Sequence, residues 1–409
     1  MMLLKTAWRN IGRNKRRSIL SALAIGFAFG LLVFSMALQR GQYVDMIQNT
    51  VRVQTGHFQI QKEGHFPERL LSEKLDPAGL LEVVDKLPHV TGAAPRVTTA
   101  ALVSKGEHTF GAAVLGIEPE REKSVSTLAS VVREGAFLEP GDRDGVLLGQ
   151  TLAKNLGAAV GDKIVFIGQG ADGSMAAGKL IVRGLFKLGM GELDRSALAA
   201  NIATVQEAFS MAGDVTEIAV LLDSERRRLE SEVRIRAALD EIGRHDTAVL
   251  GWPTLMPGVE QGIKIDWNSG LIMYAALVLV VGFGIANTFL MAYMERIHEL
   301  GVLLALGMPP RRLSRMVYLE SVLLVGLGIL AGLAGGLPIT WYYQVKGIDF
   351  GINEELTAKY GMSSIIHPQL EPLVFAWAGG IVLVISLAVA IYPALKAARI
   401  RPVEALRRT

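Results

Sequence analysis

Cysteine does not occur anywhere in the 409 residues. Its absence excludes disulfides, thiolate metal sites, iron–sulfur clusters and a cysteine nucleophile. A Gly-x-x-x-x-Gly-Lys-Ser/Thr loop is also missing, so the sequence offers no phosphate cradle of that kind. The seven histidines, His57, His65, His89, His108, His245, His298 and His367, are scattered. His298-Glu299 lacks the second histidine of a zinc-protease helix. No metal ligand set, cofactor site or catalytic group is expected. Charge is scarce as well: Asp, Glu, Lys and Arg make up 20% of the chain, half of it is hydrophobic, and the mean hydropathy is +0.35. That balance argues against disorder and for membrane spans.

Charge vanishes altogether over Ser18–Gln39, Trp267–Met294, Ser321–Val345 and Pro372–Leu395. Each run exceeds the roughly 20 residues needed to cross a hydrocarbon core of about 30 Å. The flanking charges choose the orientation. The segments before the first run, between the second and third, and after the fourth hold 15 basic residues against Glu295, Glu299, Glu320 and Glu404. Residues 41–267 hold 24 basic and 31 acidic residues. Short basic loops stay inside, whereas long domains translocate with little regard for charge. Both termini and the 295–320 loop are therefore expected in the cytoplasm, with residues 41–267 outside. Ser35-Met36-Ala37 resembles a signal cleavage site, but the run is long for a signal, and cleavage would put the basic C-terminus outside.

The expected organisation is a membrane protein: four transmembrane α-helices with a large α+β extracytoplasmic domain inserted between helices 1 and 2. Residues 1–17 form a cytoplasmic amphipathic helix, with Leu4, Ala7, Trp8 and Ile11 on one face. Residues 18–40, 268–294, 321–345 and 372–395 span. Residues 41–267 form the outer domain, 295–320 a cytoplasmic loop, 346–371 an outer loop and 396–409 a cytoplasmic tail. Within the outer domain, Gly145–Gly149, Lys163–Ile167, Ile181–Phe186 and Glu217–Leu222 read as strands. Thr151–Leu156 and Ser224–Ile242 read as helices. Two subdomains are expected, 41–100 with 200–250, and 101–199. Asp142-Arg-Asp144 and Glu118-Pro-Glu120-Arg-Glu122 read as solvated loops, and Arg226-Arg-Arg228 sits among acids, which disfavours nucleic acid.

Small residues recur four apart at Gly26 and Gly30 in the first span, and at Gly328, Gly332 and Gly336 in the third. That spacing opens a groove for close helix packing. Pro338 is expected to kink the third span. No ionisable residue sits mid-span, which disfavours a charged relay, and Asn287 is expected to hydrogen-bond another helix.

The segment Met294–Glu320 carries the most information. Leu300, Leu303, Leu304 and Leu306 make an apolar helical stretch too short to span, and Gly307-Met-Pro-Pro breaks it before Arg311-Arg312 restarts the chain. The pattern Glu-Arg-x-x-Glu-x-Gly-x-Leu-x-Ala-Leu-Gly, here Glu295–Gly307, resembles the loop of the FtsX/MacB-like permeases of ABC transporters. Ala7-Trp-Arg-Asn-Ile and the closing run from Tyr392 to Arg407 are similar to the two ends of the same permeases. The resemblance extends to the LolC/LolE lipoprotein-releasing subunits through Thr55–Ile60 and Val90–Arg96.

The resemblance implies a non-catalytic subunit in a bacterial inner membrane, with ATP bound by a separate ABC ATPase partner and no cofactor in this chain. It implies a coupling loop that docks on that ATPase through Glu295, Glu299, Gly301, Leu303, Leu304, Gly307 and Arg311. The charges would orient a polar interface, the leucines anchor it and the glycines permit close approach. Further partners implied are the lipid bilayer, a second permease copy or homologue, a lipoprotein cargo and a periplasmic carrier. A MacB-like exporter of peptides, drugs or lipids, or FtsX-like signalling to a cell-wall hydrolase, are the alternatives.

Overall fold

The computed structural model describes residues 2–13, 15–189, 191–349 and 365–399. Residues 350–364 of the expected outer loop and 400–409 of the expected tail lie outside the described residues. Contacts divide the chain into two compact units. One comprises residues 44–262, and the other residues 2–43, 263–349 and 365–399 among those described.

The second of these is helical. Among the described residues, four helices are long and apolar enough to cross a membrane. Lys15–Thr50, Pro257–Glu295, Pro310–Lys346 and Pro372–Ala398 are called spans one to four. All overrun the uncharged runs, because backbone hydrogen bonding continues after the side chains turn polar. Pro310 and Pro372 stand in the first turns of spans three and four, where the missing N–H costs nothing. Pro338 and Pro393 lie inside helices. The bundle core gathers Ile25, Phe29, Leu32, Val325, Ala378 and Val382.

Asn287 departs from expectation: it is exposed, while Ile285 and Phe289 are buried. Two residues turn a helix by about 200°, so an amide between two core positions faces outward. The short helix Met2–Arg13 buries Ala7 and Ile11 and leaves the Trp8 ring exposed. Near the other end of the bundle, Tyr43 Oη donates to Asp266 Oδ2 at 2.6 Å and Tyr274 Oη donates to Gln39 Oε1 at 2.9 Å.

The unit of residues 44–262 is built on ten strands in one sheet. They are β1 (Phe58–Lys62), β2 (Val90–Lys105), β3 (His108–Ile117), β4 (Val132–Gly135), β5 (Gly145–Gly149), β6 (Lys163–Gln169), β7 (Met175–Phe186), β8 (Ala197–Asn201), β9 (Glu217–Leu222) and β10 (Thr247–Gly251). Strand order runs β10-β1-β9-β2-β3-β8-β5-β7-β4, and β6 pairs with both β2 and β7. Strands β2, β3, β8, β5, β7 and β6 therefore close on themselves as a small barrel.

The long strand β2 joins the two halves. Its first part, to Arg96, pairs with β9, and Ala101–Ser104 pairs with β6. The two expected subdomains thus share one strand and one core. Phe58 and Ile60 of β1 are continuous in that core with Val114, Val146, Phe166 and Leu198 of the barrel. Helix Arg228–Glu241 adds Ile235 and Leu239. The opposite face carries a smaller cluster around Ile117, Leu147, Phe186 and Ala199.

Candidate functional site

Span two ends at Glu295, and after Arg296 the chain forms the separate helix Ile297–Ala305. Its exit is a Schellman turn. Met308 N donates to Leu303 O and Gly307 N to Leu304 O, both at 3.0 Å. Gly307 holds φ at +93°, a left-handed conformation that glycine adopts without steric cost. Pro309 then caps the third span and Pro310 enters its first turn, with Arg312 N and Leu313 N donating to Pro309 O. Glycine to stop and proline to restart is local chemistry, so the turn is written in the sequence.

Apolar side chains divide around this helix by its phase. Leu300 is buried with Tyr293, Leu313, Met316 and Ala397, and the half-buried Leu303, Leu304 and Met308 pack on that cluster. Val302 and Leu306 point away, the latter 80% exposed. Of the residues expected to meet an ATPase, Glu295, Glu299, Gly307 and Arg311 are exposed, Gly301 is buried, and Leu303 and Leu304 face their own bundle. The outward apolar positions are therefore Val302 and Leu306.

Sequence reasoning passed over a chain of alternating charges that holds this helix. Arg296 Nη1 donates to both carboxylate oxygens of Glu320 at 2.7 Å, and the two side chains are 11% and 8% exposed. Arg296 Nε reaches Glu299 Oε2 at 3.3 Å, and Arg13 pairs with the same Glu299 carboxylate. Burial opposes the Glu299 charge, but the hydrogen bonds from Arg13 and Arg296 outweigh it and hold this carboxyl below its ordinary range. Arg13–Glu299–Arg296–Glu320 thus joins the N-terminal helix, the short helix and span three. In the sequence Arg13, Arg296 and Glu320 counted only as flanking charges, and Glu299 was expected to face an ATPase rather than this chain. The available signal was that an arginine and a glutamate close the facing ends of consecutive uncharged runs.

The five glycines come together between spans one and three. A Cβ added to Gly26 would lie 2.8 Å from Gly328 O, and one on Gly336 would lie 2.9 Å from Gly30 Cα. At Gly332 it would press into the Gly26 carbonyl and approach Phe29 Cδ1 to 2.8 Å. At Gly328 it would meet Ile25 Cβ at 2.6 Å. Backbone lies on backbone, the contact that small residues permit where lipid supplies no hydrophobic drive.

Four helices long and apolar enough to cross a membrane, a short helix between the second and third, and an α+β domain in the same chain have the make-up of a polytopic membrane protein. Residues 271–402 match the FtsX-like permease C-terminal family, and residues 18–238 match the MacB-like periplasmic core domain. The chain belongs to the FtsX/MacB-like permeases of ABC transporters. It is 27% identical over 413 residues to a lipoprotein-releasing system transmembrane protein LolC from Xylella fastidiosa, covering 97% of this chain and 96% of that one. A LolE protein from Haemophilus influenzae is 24% identical over 98% of both chains. The macrolide export ATP-binding/permease protein MacB of Hyphomonas neptunium is 26% identical over 98% of this chain and 60% of its own length.

Proposed function

We propose that this permease transmits ATP-driven movement from a separate ATPase to an outer domain, and that its cargo is an acylated protein leaving the inner membrane. Both termini and the short helix Ile297–Ala305 lie in the cytoplasm, and residues 41–267 lie outside between spans one and two. The coupling surface is Val302 and Leu306 with the exposed Glu295, Glu299, Gly307 and Arg311. Leu303, Leu304 and Gly301 act from behind, seating the helix on its own bundle. A second permease copy or homologue completes the membrane part. ATP binding closes the ATPases and pushes the short helix, and spans one and two carry the displacement to the domain they flank. A soluble carrier receives the lipoprotein outside.

The observation that carries the cargo reading is the similarity to LolC and LolE proteins along nearly the whole of both chains. Depletion of the chain is expected to trap acylated proteins in the inner membrane, and normal sorting would refute the reading. Export of a small molecule or peptide is the second reading, favoured by the match to a macrolide exporter over 98% of this chain and 60% of that one. For the coupling role, Leu306→Asp is expected to weaken co-purification of the ATPase while insertion persists. Unchanged association would remove Leu306 from the interface.

A further inference from the structure

Buried polar side chains on a sheet face call for partners. Gln61, Glu217 and Arg96 stand opposite one another on β1, β9 and β2, and with Gln59 they are all at least nine-tenths buried. Arg96 is matched: its guanidinium binds the Glu122 carboxylate at 2.6 and 3.0 Å, with both side chains 1% exposed. Glu217 is not matched in this way. Among the described residues no cation pairs with it directly, and the hydrogen bonds from Thr98 Oγ1 at 3.1 Å and Gln59 Nε2 at 3.3 Å both fall on Oε1.

Across the same face the register turns apolar. Thr98 stands opposite Leu115 on β3, and Leu115 stands opposite Ala199 on β8. A cavity of about 160 Å³ opens where the polar and apolar rows meet, lined by Glu217, Glu122 and the exposed Arg69 on its polar side and by Leu115, Phe186, Leu193 and Ala197 on its apolar side, among others. Apolar cavities of roughly 150 Å³ hold a single benzene ring.

We propose that this cavity is a binding site for a small amphiphilic amine, its one aromatic ring or branched alkyl group against Leu115, Phe186 and Leu193 and its ammonium donating to Glu217 Oε2. A carboxylate in apolar surroundings gains most from a charged donor, because nothing else there replaces its hydration. Burial raises the Glu217 carboxyl, and Arg96, Thr98, Arg69 and His65 offset that only in part, so its charged form is costly here and a cationic donor relieves that cost. Arg69 also lines the cavity but is exposed to solvent, which screens its charge, so an anionic guest still meets the repulsion of the buried carboxylate and a neutral one leaves it unserved. The site is independent of the cargo reading, since every residue belongs to the domain itself.

The test is calorimetric titration of the full chain in lipid nanodiscs, with empty nanodiscs subtracted, using phenethylamine, hydrocinnamate and benzyl alcohol as probes. Saturable binding of phenethylamine alone is expected. Glu217→Gln is expected to weaken it at least about tenfold with no loss of thermal stability. Ala197→Phe, which fills the chamber from its apolar side, is expected to abolish it. No saturable phenethylamine binding, equal binding of either other probe, or an affinity indifferent to a correctly folded variant would overturn the proposal.

Discussion

Removing the Glu320 charge tests the charge chain most directly. Glu320→Gln keeps the shape of the side chain and one acceptor oxygen, but it removes the charge facing the Arg296 guanidinium, 11% exposed, and turns one of its two 2.7 Å acceptors into a donor. Breaking a buried pair from one side typically costs about 3–5 kcal/mol, mostly for the stranded charge. Here Glu299 still touches Arg296 at 3.3 Å, so a smaller loss of about 2–3 kcal/mol is expected. The double variant Arg296→Met with Glu320→Leu removes both charges and fills the same space. It is expected to cost about 1 kcal/mol or less, well under the loss from Glu320→Gln alone. Arg13→Ala, which breaks only the exposed end of the chain, is expected to cost under about 1 kcal/mol. Equilibrium unfolding in mixed micelles measures all four proteins. A Glu320→Gln loss below about 0.5 kcal/mol, or a double variant as costly as Glu320→Gln, would refute the argument.

Gly332→Leu is expected to destabilise the bundle by about 3 kcal/mol or more, since its Cβ would press into Gly26 backbone; Gly335→Leu, with open space at that position, is the near-neutral control in the same unfolding assay. Gly307→Ala meets no neighbouring atom but must adopt φ +93°, so a cost of about 1 kcal/mol is expected from backbone strain alone. Hydrogen exchange should then show faster opening of the Met308 amide, and unchanged protection would argue against the turn.

His57 supplies a pH signature: burial first, then the charges of Arg52 and Arg228, lower its imidazole to about 4, and its Nδ1 accepts from Leu222 N at 3.0 Å. Between about 6.5, the unfolded value, and about 4, the unfolded chain takes up a proton that the folded chain refuses. His57 therefore contributes stability that is complete above about pH 6.5 and falls by about 3 kcal/mol as pH drops through its folded value. His57→Asn should flatten that part of the acid-unfolding profile, and an identical profile would reject the assignment.

Much of this architecture was legible residue by residue. An uncharged run longer than a bilayer is thick must satisfy its own backbone, so spans announce themselves in composition. Gly145–Gly149, Thr151–Leu156 and Lys163–Ile167 were readable because short apolar runs between glycines carry their own period, and β5, the helix Gln150–Leu156 and β6 occupy those positions. The turn at Gly307-Met-Pro-Pro is likewise local.

Tertiary structure decided what depends on distant partners. Closure of the barrel needs β6, which pairs locally with β7, to meet β2 as well, a pairing between residues some 60 apart that no period encodes. Helix phase and neighbours, rather than hydrophobicity, decided that Leu303 and Leu304 turn inward while Val302 and Leu306 turn outward. Arg296 and Glu320 looked like two flanking charges among many until the fold placed them 2.7 Å apart in a buried site. By itself the sequence determined which segments seek lipid and where the chain turns, because those follow from each residue's own solvation and backbone preference. Which side chains share a buried site followed only from packing, since the energy of a buried charge belongs to its surroundings and not to its residue type.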